Sequence, residues 1–177
     1  MSSIEVIGIA LDLSGSMTSI LSDVVEETIG LLDKFEPQSV IFCEFSTKFH
    51  CETMTLTEAK QKLKAVKAAG STAMYDGVTT MLRELLPNAT EGKNVLAIVV
   101  TDGLENASIL FDRNDLIEAK TKLRDAAGAN SIREICISET ATQATTLLHS
   151  TPGLRPASSS TATRDRHAIR KAFRTMS

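Results

Sequence analysis

Two short and almost continuously apolar segments constrain the fold of this chain more than any other feature. The first covers residues 4–11, interrupted near its start by Glu5, and the second covers residues 94–100. Such segments are typical of strands that are buried on both faces of a parallel sheet. Between the strand-like segments, apolar residues recur with helical spacing. The sequence therefore predicts an α/β fold with a doubly wound, Rossmann-like, mostly parallel sheet that carries helices on both faces.

The remaining elements follow from periodicity and turn residues. A very short turn joins predicted strands at 39–45 and 48–54, which indicates an antiparallel hairpin at the sheet edge. A further strand is predicted at 132–138, whereas the Ser/Thr-rich residues 158–163 are interpreted as a loop. Helices are predicted at about 17–35, from the N-cap Thr57 to Gly70, and from STAMYDG to Pro87. Further helices are predicted from the N-cap Asn114 to residue 127, in TQATTLLHS (142–150) and at about 163–176. A short edge strand is predicted in GLRPAS (153–158).

Composition indicates one globular domain that spans residues 1–177. Of the 177 residues, 42% are hydrophobic and 23% are charged, which argues against a disordered chain. The apolar runs are too short for a membrane span, and the N-terminus lacks a signal-peptide pattern. Among three cysteines without paired spacing, Cys43 and Cys51 are predicted to be reduced, buried thiols close together on the hairpin, and Cys136 lies apart. These features predict a cytoplasmic protein without a membrane segment.

Charge is distributed unevenly along the chain. Residues 151–177 carry six basic side chains and one acidic side chain, although the whole chain has a net charge of −3. A basic end of this kind can contact nucleic acid, but it is also typical of the solvated face of a last helix. Lys60, Lys62, Lys64 and Lys67 form a second basic set. It is interpreted as a solvated helix face, because aromatic residues, 4% of the chain, do not interleave with the lysines.

Both apolar segments end in an aspartate, and the first continues as DLSGS at residues 12–16. The sequence does not support a nucleophilic serine here, because neither Ser14 nor Ser16 lies in a G-x-S-x-G motif. The histidines of the sequence, His50, His149 and His167, are also not expected near these strand ends. A phosphate-binding loop would need a glycine pattern that is absent here. A phosphatase of the haloacid dehalogenase kind would need an aspartate where Ser14 stands.

A metal site fits the same residues better. Asp12, Ser14 and Ser16 offer one carboxylate and two hydroxyls, GSTAMYDG adds Thr72, and VVTDGLENAS adds Asp102. Ligands of such sheets bind beyond the carboxyl ends of the strands, where these segments are expected to meet. Mg²⁺ and Mn²⁺ prefer six oxygen ligands, some of them water. Because only two of these five donors are charged, a bound ion would remain able to accept one more carboxylate.

Together, DLSGSM, GSTAMYDG and VVTDGLENAS resemble the metal-ion-dependent adhesion site of the von Willebrand factor type A (vWA) domains, and the resemblance covers nearly the whole chain. The residues of these segments, especially TDGLENAS, are similar to those of stand-alone bacterial and phage-type intracellular members of the family. The resemblance implies a six-stranded sheet with one antiparallel edge strand. It also implies that the hydroxyls of Ser14, Ser16 and Thr72 coordinate the ion, and that Asp12 and Asp102 do so directly or through water. Mg²⁺ or Mn²⁺, rather than Ca²⁺, is the expected ion.

The resemblance further implies a protein-binding module and not an enzyme. A partner protein would supply an Asp or Glu as the sixth ligand of the ion. In intracellular relatives that partner belongs to an AAA+ ATPase system or another complex. Neither a membrane nor a nucleic acid is expected as a partner. One alternative is a metal-dependent hydrolase with Asp76 or Glu105 as general base. Another is a nucleic-acid-associated module that uses the basic segment 155–174. Otherwise Asp76 is interpreted as a helix N-terminal residue or a support of the metal site, and Glu105 as a solvated loop residue or part of the rim.

Overall fold

The structure is a computed structural model of the chain, and it describes residues 3–102, 105–128, 131–138 and 159–176. The strands are β1 Val6–Asp12, β2 Ser39–Phe45, β3 Phe49–Met54, β4 Val95–Thr101, β5 Ile132–Ser138 and β6 Ser159–Thr163. The helices are α1 Leu21–Phe35, α2 Leu56–Ala65, α3 Met74–Thr90, α4 Arg113–Ala127 and α5 Arg166–Met176, and a single 3₁₀ turn covers Gly15–Met17. None of the described helices is long and apolar enough to cross a membrane.

The described strands form one mixed sheet in the order β3-β2-β1-β4-β5-β6. All neighbouring pairs are parallel except β2 and β3, which are antiparallel at one edge. From β1 the chain first builds outward through β2 and β3, and then crosses back to add β4, β5 and β6 on the other side. The order of the strands therefore reverses between β1 and β4, which is where ligands bind in folds of this type.

Helices cover both faces of the sheet and bury two sets of apolar side chains. In β1, Ile7 and Ile9 face the core under α1, α2 and α5, whereas Val6 and Ala10 face the core under α3 and α4. Because successive side chains of a strand point to opposite faces, a strand buried on both sides must be apolar throughout. The predicted α/β class, the mixed sheet with an antiparallel edge strand and the helices on both faces are confirmed.

Several helix boundaries differ from the prediction because the capping residue was misassigned. Thr55, not Thr57, is the N-cap of α2, and it exchanges hydrogen bonds with Glu58 in a capping box. Asp112, not Asn114, caps α4, where its carboxylate accepts the backbone N–H of Asn114 at 2.7 Å. In both cases the cap lies four residues before the first buried side chain of the helix, which is Ala59 in α2 and Leu116 in α4.

Two helices also end at different residues than predicted. Helix α2 ends at Ala65 instead of Gly70, and α3 continues past Pro87 to Thr90. A proline inside a helix removes one backbone hydrogen bond. Here Leu85 and Ala89 are buried on either side of Pro87, so packing carries α3 through the interruption.

The interpretation of residues 158–163 as a loop is wrong. Residues Ser159–Thr163 form β6, which pairs with β5 in parallel register. A strand is stabilised here by backbone pairing with a neighbour, and this needs no apolar side chains. The predicted helix at 142–150 and the predicted strand at 153–158 lie outside the described residues.

The prediction of reduced thiols at Cys43 and Cys51 is also wrong, because the structure joins them in a disulfide. The two cysteines are direct partners in the antiparallel pair of β2 and β3, with a Cα–Cα distance of 4.0 Å. Their closeness followed from the hairpin, but the bond does not follow from sequence spacing. Disulfides are typical of oxidising compartments. The cytoplasmic location therefore stays a prediction, and reduced cysteines no longer support it.

Candidate metal centre

Asp12 is the last residue of β1 and is completely buried, at 0% exposure. Its Oδ1 accepts the backbone N–H of Ser14 at 2.8 Å, and its Oδ2 accepts the hydroxyl of Thr101 at 2.8 Å. The first bond closes a tight Asp turn, a common way for an aspartate to redirect the chain after a strand. The second bond ties β1 to the end of β4. Together they fix the orientation of the carboxylate.

The 3₁₀ turn after β1 brings two hydroxyls to the same place. The Oγ atoms of Ser14 and Ser16 lie 3.0 Å apart, and Ser16 Oγ donates a hydrogen bond to Oδ2 of Asp102. The turn is held from outside by the backbone N–H of Gly15, which donates to the carbonyl of Gly70 at 2.9 Å. Four of the five predicted ligands, Asp12, Ser14, Ser16 and Asp102, thus form a continuous hydrogen-bonded cluster.

Among the described residues, the bonding partners of Thr72 do not include the other four predicted ligands. Thr72 is buried in the segment between α2 and α3, and its N–H donates to Oδ1 of Asn106 at 2.8 Å. Its carbonyl accepts the N–H groups of Asn106 and Ala107 at 3.0 and 3.1 Å. These bonds attach the Thr72 segment to the loop that follows β4 and Asp102.

The centre concentrates negative charge in a buried place. Burial raises the pKa of Asp12, the hydrogen bonds from Ser14 and Thr101 lower it, and the charge of Asp102 raises it further. The net pKa shift is upward, which means that the ionised carboxylate is disfavoured in the absence of a compensating cation. A cation bound between the two aspartates would remove this penalty.

The donor set fits a small divalent cation. Adjacent corners of an octahedron with metal–oxygen distances of 2.0–2.1 Å are about 3.0 Å apart, which is the separation of Ser14 Oγ and Ser16 Oγ. In the part of the chain that the structure describes, no three residues among His, Cys, Asp and Glu form a group that could hold a metal. A metal at this edge would therefore depend on hydroxyl ligands in addition to the two carboxylates.

Sequence reasoning missed Arg164, which reaches this centre from beyond β6. Its Nη2 lies 3.1 Å from Oδ2 of Asp102, and its Nη1 donates to the backbone carbonyl of Ser16. Its position at the carboxyl end of a strand would have indicated this edge of the sheet. That signal was lost when residues 158–163 were interpreted as a loop.

Two further acids near the centre stabilise the loop after β4. Oδ1 and Oδ2 of Asp76 accept the backbone N–H groups of residues 109–111 at 2.8–3.0 Å. Glu105 accepts the N–H of Tyr75 at 2.9 Å and, at 2.8 Å each, the N–H and hydroxyl of Ser108. Glu105 is therefore a bound structural residue, and the interpretation of it as a solvated loop acid is wrong. No sequence periodicity could reveal this, because the partners lie 30 to 35 residues apart in the Tyr75 and Asp76 contacts.

Two exposed apolar side chains lie on the loop after β4, and a separate cleft begins at Leu13. On the stabilised loop, Ile109 is 89% exposed and Leu110 is 60% exposed, although their backbone N–H groups are bound to Asp76. The cleft, of about 620 Å³, is lined by Leu13, directly after Asp12, by the acid Glu44 and by several other polar residues. Its basic residues include Lys48, Lys62 and Lys67.

Comparison with solved structures shows a likeness over most of the chain. The manganese-loaded TRAP protein of Plasmodium vivax has a TM-score of 0.63 and 15% identity, over 99% of this chain and 74% of that chain. The SpRpn10 VWA domain has a TM-score of 0.61 and 12% identity, over 96% of this chain and 93% of that chain. Proximal thread matrix protein 1 from the mussel byssus has a TM-score of 0.67 and 15% identity, over 99% of this chain and 47% of that chain.

The sequence itself matches no protein-family model and no curated protein. At identities this low, the likeness concerns the arrangement of the backbone and leaves the ligands and partners of this chain open. With its strand order, its antiparallel edge strand and its two helical layers, the chain has a fold similar to that of the von Willebrand factor type A domains.

Proposed function

We propose that the chain is a metal-dependent protein-binding module and not an enzyme. In this proposal the five oxygen donors Asp12, Ser14, Ser16, Thr72 and Asp102 hold Mg²⁺ or Mn²⁺, and an acidic residue of a protein partner completes the coordination. The observation that carries the proposal is the hydrogen-bonded cluster of carboxylates and hydroxyls where the strand order reverses. A manganese-loaded protein among the structural neighbours adds support.

Each predicted ligand would contribute differently to metal binding. Asp12 and Asp102 supply charge, and Asp12 is kept in one orientation by Ser14 and Thr101. The serine hydroxyls supply neutral oxygens, which leave the ion more electrophilic than a ring of carboxylates would. When bound, the ion supplies a Lewis acid for a carboxylate from outside. A partner from an AAA+ ATPase system or another multi-subunit complex, met in the cytoplasm, is part of this proposal.

The surroundings of the centre favour binding over hydrolysis. A metal-dependent hydrolase needs a general base with a free lone pair close to the ion. The nearest candidates are Asp76 and Glu105, and each already accepts at least three hydrogen bonds from the chain itself. The oxygens of both carboxylates are therefore already engaged in holding the loop after β4 in place.

The basic C-terminal segment gives little support to a nucleic-acid function. Arg166 pairs with Asp23 and Glu26 of α1, and Arg170 pairs with Glu26 and Glu27. Charges that are paired within the chain contribute less to phosphate binding, because binding would have to break the existing pairs. The described part of this segment is therefore better explained as a helix that docks on the acidic surface of α1.

The first test is calorimetry of Mg²⁺ and Mn²⁺ binding to the wild type and to Asp12→Ala. We expect binding by the wild type, no binding by Asp12→Ala, and wild-type binding by the control Asp125→Ala, which changes an exposed aspartate of α4. Equal and absent heats for all three proteins would overturn the proposal. Phosphatase and nuclease assays with Mn²⁺ should show no turnover, and measurable turnover would favour the hydrolase.

The second test concerns the partner. The chain should capture a partner from cell extract in Mg²⁺ and lose it in EDTA. We expect Ile109→Ser with Leu110→Ser to reduce this capture without changing the metal affinity, because exposed apolar side chains beside a polar centre commonly anchor partners. Capture that is indifferent to EDTA and to Asp12→Ala would contradict a metal-dependent contact.

A further inference from the structure

Arg164 lies directly after β6 and places its guanidinium in the candidate metal centre. In the sheet, β5 lies between β6 and β4, so Arg164 and Asp102 meet across the carboxyl end of β5. At the far end it contacts Oδ2 of Asp102 at 3.1 Å and the backbone carbonyl of Ser16. The side chain of Arg164 is 22% exposed and that of Asp102 is 2% exposed. This ion pair is therefore largely removed from water.

The neighbouring arginines behave differently. Arg166 and Arg170 pair with acids of α1 at the surface, where their side chains are 60% and 39% exposed. Surface pairs of this kind contribute little to stability and are screened by salt. Unlike Arg166 and Arg170, Arg164 contacts two of the predicted metal ligands, Asp102 and Ser16.

The contacts of Arg164 overlap with those a metal would need. Oδ2 of Asp102 accepts two hydrogen bonds, one from Nη2 of Arg164 and one from the hydroxyl of Ser16. An ion coordinated by Asp102 and by Ser16 Oγ would lie next to the guanidinium, and two positive charges at such a distance repel each other strongly in a poorly hydrated site. The guanidinium and a fully coordinated ion therefore cannot both keep their best positions.

The Arg164 contact is also incompletely satisfied. In the described part of the chain, its Nε is buried and has no hydrogen-bond partner. A buried N–H without an acceptor is unfavourable, and exposure to water would relieve it. The guanidinium is therefore held by two contacts at its tip, and its withdrawal would cost less than the loss of a fully bonded arginine.

We propose that Arg164 is a built-in counter-cation, which competes with the divalent ion for Asp102 and Ser16 and thereby sets the metal affinity of the centre. In the metal-free protein the guanidinium compensates the charge of Asp102. When the ion enters, Arg164 leaves Asp102 and exposes its Nε. This inference rests on the proposed function, because it requires a centre that binds a divalent ion.

The decisive measurement is the Mn²⁺ affinity of Arg164→Gln by calorimetry at constant ionic strength. We expect the affinity to rise about tenfold, within the usual range of coupling between two binding events. Arg164→Lys should give a smaller rise, because an ammonium group keeps the charge but loses the two-pronged contact. Arg166→Gln is the matched control and should bind as the wild type does, since its partners lie on α1.

A second readout needs no bound metal. In EDTA, Arg164→Gln should melt at a lower temperature than the wild type and Arg166→Gln, because the buried Asp102 loses a compensating charge. Adding Mn²⁺ should then raise the melting temperature of Arg164→Gln by more than that of the wild type. The Nε–H signal of Arg164 in nuclear magnetic resonance should exchange slowly in EDTA and rapidly in Mg²⁺.

The outcomes separate this inference from the proposed function. If the wild type and Arg164→Gln bind Mn²⁺ equally, or if Arg164→Gln binds more weakly while it remains folded by circular dichroism, the metal function stands and the competition is refuted. If neither protein binds metal, both fail. If the wild type binds weakly or not at all and Arg164→Gln binds, the competition is established, because only the guanidinium differs.

Discussion

The hydroxyl of Thr101 donates a hydrogen bond of 2.8 Å to Oδ2 of Asp12, which joins the carboxyl ends of β4 and β1. The two residues are 89 positions apart in the sequence, and the bond exists only because β1 and β4 are neighbours where the strand order reverses. Since the backbone N–H of Ser14 holds the other oxygen, the carboxylate of Asp12 has a single orientation before any ion arrives. Preorganisation of this kind raises the affinity of a metal site.

Thr101→Val should weaken metal binding without removing a ligand. Valine keeps the shape of threonine but leaves one oxygen of a buried carboxylate without its donor. We expect the Mn²⁺ affinity to fall roughly tenfold and the free energy of unfolding to fall by about 1–2 kcal/mol. Calorimetry and urea unfolding measure the two effects. Thr101→Ser, which retains the hydroxyl, should stay close to the wild type, and a loss of affinity as large as that of valine would contradict the role of this hydrogen bond.

Asp12→Asn should stabilise the metal-free protein at neutral pH while abolishing metal binding. Its Oδ1 can still accept the N–H of Ser14, and its amide can donate to the hydroxyl of Thr101, which also accepts hydrogen bonds. What disappears is a buried negative charge beside Asp102. Thermal unfolding in metal-depleted buffer should therefore give a higher melting temperature for Asp12→Asn than for the wild type. With Mn²⁺ in excess, the order should reverse.

The same comparison has a definite pH dependence. Because the pKa of Asp12 in the folded protein is raised above its ordinary value, the folded state binds this proton more tightly than the unfolded state does. The resulting stability is fully present below the ordinary pKa and is lost as the pH rises through the raised pKa. The advantage of Asp12→Asn should accordingly be small in acid and grow with pH. An advantage that grows as the pH falls would contradict the raised pKa.

The sequence was most informative where one strand or one turn contains the whole signal. Strands β1 and β4 were predictable because a strand covered on both faces must be apolar throughout, and Asp12, Ser14 and Ser16 lie in one turn. Strand β6 was not predictable, because Ser159–Thr163 pairs through its backbone and its side chains carry no period that separates it from a loop. Because these residues were interpreted as a loop, the contacts of Arg164 with Asp102 and Ser16 were not predicted.

Contacts between segments that are distant in the sequence could not be predicted either. Glu105 and Asp76 looked like ordinary acids of a loop and a helix start, yet each collects backbone N–H groups from the other's segment. Such bonds depend on the approach of α3 to the loop after β4, which no local pattern specifies. The disulfide was missed for a different reason: Cys43 and Cys51 are only 8 positions apart, but they face each other only in the exact register of β2 and β3.

Asp76→Asn should release the loop that follows the metal centre. Oδ1 of Asp76 accepts two backbone N–H groups and Oδ2 accepts a third, and an asparagine would turn an N–H₂ group toward at least one of them. We expect a loss of about 2–3 kcal/mol in the free energy of unfolding. Hydrogen exchange at residues 109–111 should become faster. Asp125→Asn on the exposed side of α4 is the control, and equal exchange in both variants would show that the Asp76 contacts do not hold the loop.

Two glycines in helices should respond oppositely to alanine. A Cβ at Gly77 of α3 would lie 2.7 Å from Cβ of the buried Phe45, whereas a Cβ at Gly30 of α1 would meet no atom within 4 Å among the described residues. Gly30→Ala should therefore gain about 0.5–1 kcal/mol in the free energy of unfolding, because alanine favours helix. Gly77→Ala should lose about 1–3 kcal/mol, since α3 must move away from β2.

The displacement in Gly77→Ala should also reach the metal centre. Helix α3 begins at Met74, only two residues after Thr72, and the bonds of Thr72 to Asn106 depend on the position of this helix start. Mn²⁺ affinity should therefore fall in Gly77→Ala and stay unchanged in Gly30→Ala. If urea unfolding shows the expected loss for Gly77→Ala while calorimetry shows unchanged affinity, the packing of α3 on Phe45 supports the fold alone, and the position of Thr72 is set by its bonds to Asn106 and Ala107.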